Sequence, residues 1–181
     1  MVVMPLADGE TSRRGAPDRA IQRRIEQATR CADVLGHELR ISQPLWPDQR
    51  LDVVPLLDLT RAIESAIQDI KPSEVFTHSP GDLNADHRRV YHAVLPAVRP
   101  KSGVKAVYCF VGPTMAQPFQ PTAFWAVTEA QMAQQHKALT CYGDELIGEW
   151  ELIQARAVEY GYRVGVKYAE GFETVRALAV V

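Results

Sequence analysis

Strand-like apolar runs alternate with helix-period segments from one end of the chain to the other, and this alternation limits the fold more than any other feature. Val2 to Leu6 reads as a buried strand entering the turn-rich loop Ala7 to Pro17. Ile21, Ile25, Ala28, Ala32 and Leu35 then recur at a helical period, with Asp18 as N-cap and Gly36 as the stop. His37 to Ile41 reads as a short strand. A second helix is expected from about Val54 to Ile70, ended by Pro72. Glu74 to His78 forms a β-rich strand, Ala85 to Val98 a third helix, and Val104 to Val111 the clearest strand. Phe124 to Val127 reads as strand, Thr128 caps a helix to about Tyr142, and another helix is expected from Asp144 to about Tyr160. A last strand falls within Val164 to Leu178. Such alternation predicts an α/β domain, a layered Rossmann-like sandwich around a mostly parallel sheet.

Length is consistent with one domain over residues 1–181, large enough to bury a core. The net charge of -2 gives no electrostatic case for nucleic acid or a membrane surface. Cys31, Cys109 and Cys141 are far apart, and no Cys-x-x-Cys pair occurs. They read as free thiols in a reducing cytoplasm, not as a disulfide framework or a thiolate metal site. The apolar start is too short for a leader or a membrane span. No Gly-x-Gly-x-x-Gly follows a strand and no Gly-x-Ser-x-Gly elbow occurs, so dinucleotide-binding and serine-hydrolase readings have no support.

In parallel sheets ligands gather beyond the carboxyl ends of the strands, which directs attention to the loop after Phe76. His78, Asp82, Asn84, Asp86 and His87 fall within ten residues there. Imidazole and carboxylate are good zinc donors, and a nearby Asp can fix the ring of a ligand histidine. Pro80 and Gly81 let the loop turn tightly. Asn84 or Asp86 can equally be the N-cap of the helix that begins near Ala85. His92 and His136 read as packing or surface residues, and Phe124 and Trp125 as core.

Asp8-Gly9-Glu10-Thr11-Ser12-Arg13, Arg24-Ile25-Glu26, Trp46-Pro47-Asp48-Gln49-Arg50-Leu51-Asp52 and Tyr160 to Phe172 each resemble segments of the PIG-L (LmbE-like) deacetylases. Thr77-His78-Ser79-Pro80-Gly81-Asp82-Leu83-Asn84-Ala85-Asp86-His87-Arg88 is the most specific of them, and the segments follow in the family's order. The resemblance implies hydrolysis of the N-acetyl group of an N-acetylglucosamine-type sugar or glycoconjugate. It implies zinc as cofactor, with His87 as metal ligand and Asp86 on the catalytic side as the acidic residue that supports the site. Arg24 and Asn84 are implied on the substrate side, Asn84 standing where some relatives carry a second histidine.

The family opens with a strand ending in Ala-His-Pro-Asp-Asp-Glu, which supplies a His ligand, an Asp ligand and the catalytic base. No such motif occurs in this sequence. The chain is therefore expected to start at the family's second strand, as a truncated or mis-started product, with the other zinc ligands supplied by a segment absent here. Reading the upstream DNA for that motif tests the expectation. The alternative is a non-catalytic relative, a carbohydrate-binding or regulatory module. A homo-oligomer is left open.

Overall fold

The computed structural model of the chain describes residues 1–15, 19–112, 118–143 and 148–178. These residues divide into two compact units, Met1–Asp48 with Phe124–Glu170, and Gln49–Ala123 with Gly171–Val181.

The first unit starts with a β-α-β step. β1 (Val2–Val3) pairs in parallel with β2 (Glu38–Leu39), Val2 opposite Glu38 and Val3 opposite Leu39, and α1 (Ala20–Leu35) connects them. The expected strands 2–6 and 37–41 are each cut to two residues, and Val3 is half exposed. Beyond them the two runs stay in contact outside the strands, through the Ser42 N–H on the Pro5 carbonyl at 3.3 Å and the Ala7–Trp46 bridge. Gly36 takes a left-handed φ of 71° and closes α1. Asp18, the expected N-cap, lies outside the described residues, and Arg19 occupies the cap position with no side-chain bond. α4 (Glu129–Thr140) packs on α1 and begins with the expected Thr128 cap, which forms a reciprocal box with Gln131.

The helix expected at 144–160 is observed as α5 (Trp150–Val164), and residues 144–147 lie outside the description. Its C-terminal overrun has a physical cause at Gly161. A Cβ there would meet the Lys167 and Val166 carbonyl oxygens at 2.7 Å, so glycine is kept inside the helix by the chain that folds back over it. Gly165, at φ 77°, makes the stop.

The second unit holds α2 (Leu56–Ile70), β3 (Glu74–His78), α3 (Ala85–Ala97), β4 (Ala106–Phe110) and most of β6 (Tyr168–Ala177), which begins in the first unit next to β5 (Ala123–Val127) in the hydrogen-bonded order. β3 and β4 are parallel, with Glu74 opposite Ala106 and His78 opposite Phe110. β6 joins the other side of β4 antiparallel, so the sheet is mixed.

α2 and α3 pack on each other, and α3 packs on β3. Leu59, Ile63 and Ile67 of α2 meet the same buried layer as Ala93, Val94 and Ala97 of α3, and β4 contributes Val107 and Cys109. Burial raises the Cys109 thiol to about 12, with Glu173 adding to it, as suits a core thiol. Arg176 donates to the Val98 and Val104 carbonyls at 2.7 and 3.0 Å, tying β6 to the end of α3.

Leu59 is fully buried, so Leu59→Ala leaves a cavity under α3. The expected cost is about 2–5 kcal/mol in urea unfolding, and a loss below about 1 kcal/mol would contradict this core.

Candidate metal centre

β3 delivers His78 at its carboxyl end, and the chain then turns over Ser79 to Leu83 into α3. Three local bonds shape the turn. The Ser79 hydroxyl accepts from the Gly81 N–H, the Ser79 carbonyl from the Asp82 N–H, and Asp82 Oδ1 from the Asn84 N–H at 2.9 Å. Asn84 is the N-cap of α3: its Oδ1 accepts from the Asp86 N–H at 2.9 Å and the His87 N–H at 3.4 Å. The capping role open between Asn84 and Asp86 falls to Asn84.

The cap places His87 in the first turn of α3, where its ring meets Asp82. Asp82 Oδ2 and His87 Nδ1 are 2.8 Å apart, and the Asp82 side chain is only 1% exposed against 30% for His87. With the carboxylate on Nδ1, Nε2 is the ring nitrogen that could take a ligand. A buried carboxylate is costly unless bonded, and here Asp82 uses one oxygen on a backbone amide and the other on the imidazole. Arg88 braces the turn from outside, donating to the Asp82 and Leu83 carbonyls at 2.5 and 2.6 Å.

His78 lies against the same ring. The His78 and His87 imidazoles stack with centroids 3.9 Å apart and planes 10° off parallel, and Phe110 meets His78 edge-on at 4.8 Å. Burial foremost, and then His87, push the His78 pKa down to about 4 against the opposing pull of Asp82, so the ring is neutral. Its Nδ1 is buried with no hydrogen-bond partner. His78, Asp82 and His87 together offer ligand atoms within 4.8 Å of one another, a group that could hold a metal ion. Ser79 reaches across the sheet to Glu173 of β6 at 3.4 Å.

Asp86 is buried on the far side of the cap. Its Oδ1 accepts from the Leu51 N–H at 3.0 Å, and Oδ2 is buried without a hydrogen-bond partner. Arg24 belongs to the other unit, where it is bound to the buried Glu10 at 2.7 Å and lies over the Tyr142 ring at 5.4 Å. The structure thus brings Asn84, Asp86 and His87 into one turn. Asp82 and His78 were visible in the polar loop but carried no assigned role. The signal was their spacing of five and nine residues from His87 across a tight turn.

A model of the family described as GlcNAc-PI de-N-acetylase, PIG-L, matches residues 1–98, more than half of the chain. The chain belongs to the PIG-L family. Solved structures share its fold. The conserved protein TT1542 from Thermus thermophilus superposes with a TM-score of 0.78 at 22% identity, over 99% of this chain and 83% of that one. GalB, the 4-carboxy-2-hydroxymuconate hydratase from Pseudomonas putida, gives 0.74 at 23%, over 100% and 86%. The N,N'-diacetylchitobiose deacetylase from Pyrococcus horikoshii gives 0.74 at 18%, over 97% and 72%.

Asn84→Ala removes the acceptor for two orphan N–H groups of α3. The expected loss is about 0.5–2 kcal/mol in urea unfolding, largely recovered in Asn84→Asp; equal losses in both variants would contradict the cap.

Proposed function

We propose that this PIG-L family member removes the N-acetyl group of an N-acetylglucosamine-type sugar or glycoconjugate with zinc held at His87. The observation that carries the reading is the Asp82–His87 pair, a buried carboxylate on Nδ1 that leaves Nε2 directed to a ligand. The residue fits the metal: a partly exposed imidazole whose Nδ1 is held by a buried carboxylate suits a catalytic zinc ligand. His87 supplies one of the three protein ligands such a site takes, and the family's His-Pro-Asp-Asp-Glu motif, absent from this sequence, would supply the others.

The chemistry a bound zinc contributes is Lewis-acid activation of water and polarisation of the amide carbonyl. The chain's own residues do the placing. Asp82 fixes the tautomer and direction of His87, Asn84 fixes the turn that carries both, and Asp86 ties that turn to Leu51. Asp86 supports the site in this reading through what it holds. Arg24, steadied by Glu10, is assigned to the substrate side, as is Asn84. Residues 1–181 are read as one deacetylase domain acting in the cytoplasm. Among the described residues no helix is long and apolar enough to cross a membrane.

Two other readings have a foothold. The fold shared with a hydratase at a similar TM-score makes water addition to an unsaturated carboxylic acid one of them. A carbohydrate-binding or regulatory module without turnover is the other, the reading that stands if His87 binds no metal.

Acetate release from a panel of N-acetylglucosamine derivatives, with zinc added, separates them. In a form supplied with the family's His-Pro-Asp-Asp-Glu motif, the account expects zinc-dependent release that falls by about 10- to 100-fold or more in Asp82→Ala and is lost in His87→Ala. Zinc-independent release, or hydration of 4-carboxy-2-hydroxymuconate in its place, would overturn it. Sugar binding without any acetate release would transfer the assignment to the binding module.

A further inference from the structure

His78 is the one polar side chain in this loop whose buried ring nitrogen bonds to nothing among the described residues, although it touches the histidine assigned to the metal. Proximity alone would make it a second ligand, since His78, Asp82 and His87 have donor atoms within 4.8 Å. The ring geometry argues otherwise. An imidazole lone pair lies in the plane of its ring, so two stacked rings 10° from parallel hold their lone pairs in separate planes that do not meet at one nearby ion. A tetrahedral ion needs donors that converge from widely separated directions. For both rings to reach one ion, His78 would have to leave its stack, and it is held there by Phe110, its register partner on β4.

What the stack does supply is a constraint that Asp82 cannot give. A single hydrogen bond at Nδ1 fixes where the edge of the His87 ring points but leaves the ring able to swing about the line to the carboxylate. A flat, half-buried neighbour on its face stops that swing. Resting on the zinc reading of His87, we propose that His78 is a positioning residue, not a ligand: its ring face sets the plane of His87 and so the direction of the metal-facing nitrogen. The requirement is an aromatic face at position 78. A donor atom there is not needed.

Cobalt(II) and zinc titrations of the full chain, read by visible absorption and calorimetry, test this on four proteins: wild type, His87→Ala, His78→Ala and His78→Phe. His78→Ala should bind metal about 10- to 100-fold more weakly, the usual penalty for losing an outer support of a ligand. His78→Phe, which keeps the face and has no nitrogen, should remain close to wild type in affinity and cobalt spectrum. Thermal unfolding of each variant identifies any that fails to fold. Folded His78→Phe binding as weakly as His78→Ala, or folded His78→Ala binding as tightly as wild type, overturns the positioning role. Undiminished binding by His87→Ala sinks the zinc reading itself, a different result from either.

Discussion

The Asp82 carboxylate is the point on which the site depends. It is almost completely removed from water, and each oxygen has a separate task, Oδ1 on the Asn84 amide and Oδ2 on the His87 ring. The first bond closes the turn that ends at the cap of α3, and the second occupies Nδ1 of His87 and leaves Nε2 as the nitrogen that could take a ligand. Backbone shape and ligand direction are therefore coupled through one side chain. Burying a carboxylate is costly unless it is bonded, so both bonds favour this arrangement of the loop.

The elements that hold this loop follow from simple patterns. Parallel pairing of β3 with β4 puts His78 beside Phe110 at the carboxyl end of the sheet, the place where α/β folds gather ligands. α2 and α3 bury a shared aliphatic layer behind it, so the functional loop is carried on a packed support. Arg24, by contrast, is rigid for its own local reasons. Its guanidinium is paired to a buried Glu10 and lies over the Tyr142 ring.

Much of this was legible in the sequence wherever local chemistry decides. The strand at Glu74–His78, the helix from Ala85 and the Thr128 cap all occur where propensity and cap residues place them. The family was legible too, from the ordered block Gly81 to His87. What local pattern could not give was set by contacts distant in sequence. β1 and β2 are shorter than their apolar runs because pairing, not hydrophobicity, bounds a strand. Position 161 inside α5 takes glycine because the backbone at Val166 and Lys167 leaves no room for a side chain. The antiparallel entry of β6, the Ser79–Glu173 bond across 94 residues and the link from Asp86 to Leu51 carry no local signature. The same is true of the His78–His87 stack, which arises from the turn geometry and not from the residue types alone.

Zinc K-edge absorption on the zinc-loaded protein examines the central claim most directly, because imidazole scattering reports histidine ligands without recourse to turnover. The account predicts imidazole in the zinc shell of the wild-type protein, less of it in His87→Ala, and an unchanged count in His78→Phe. A shell with no imidazole, or one that His87→Ala leaves unaltered, would contradict it.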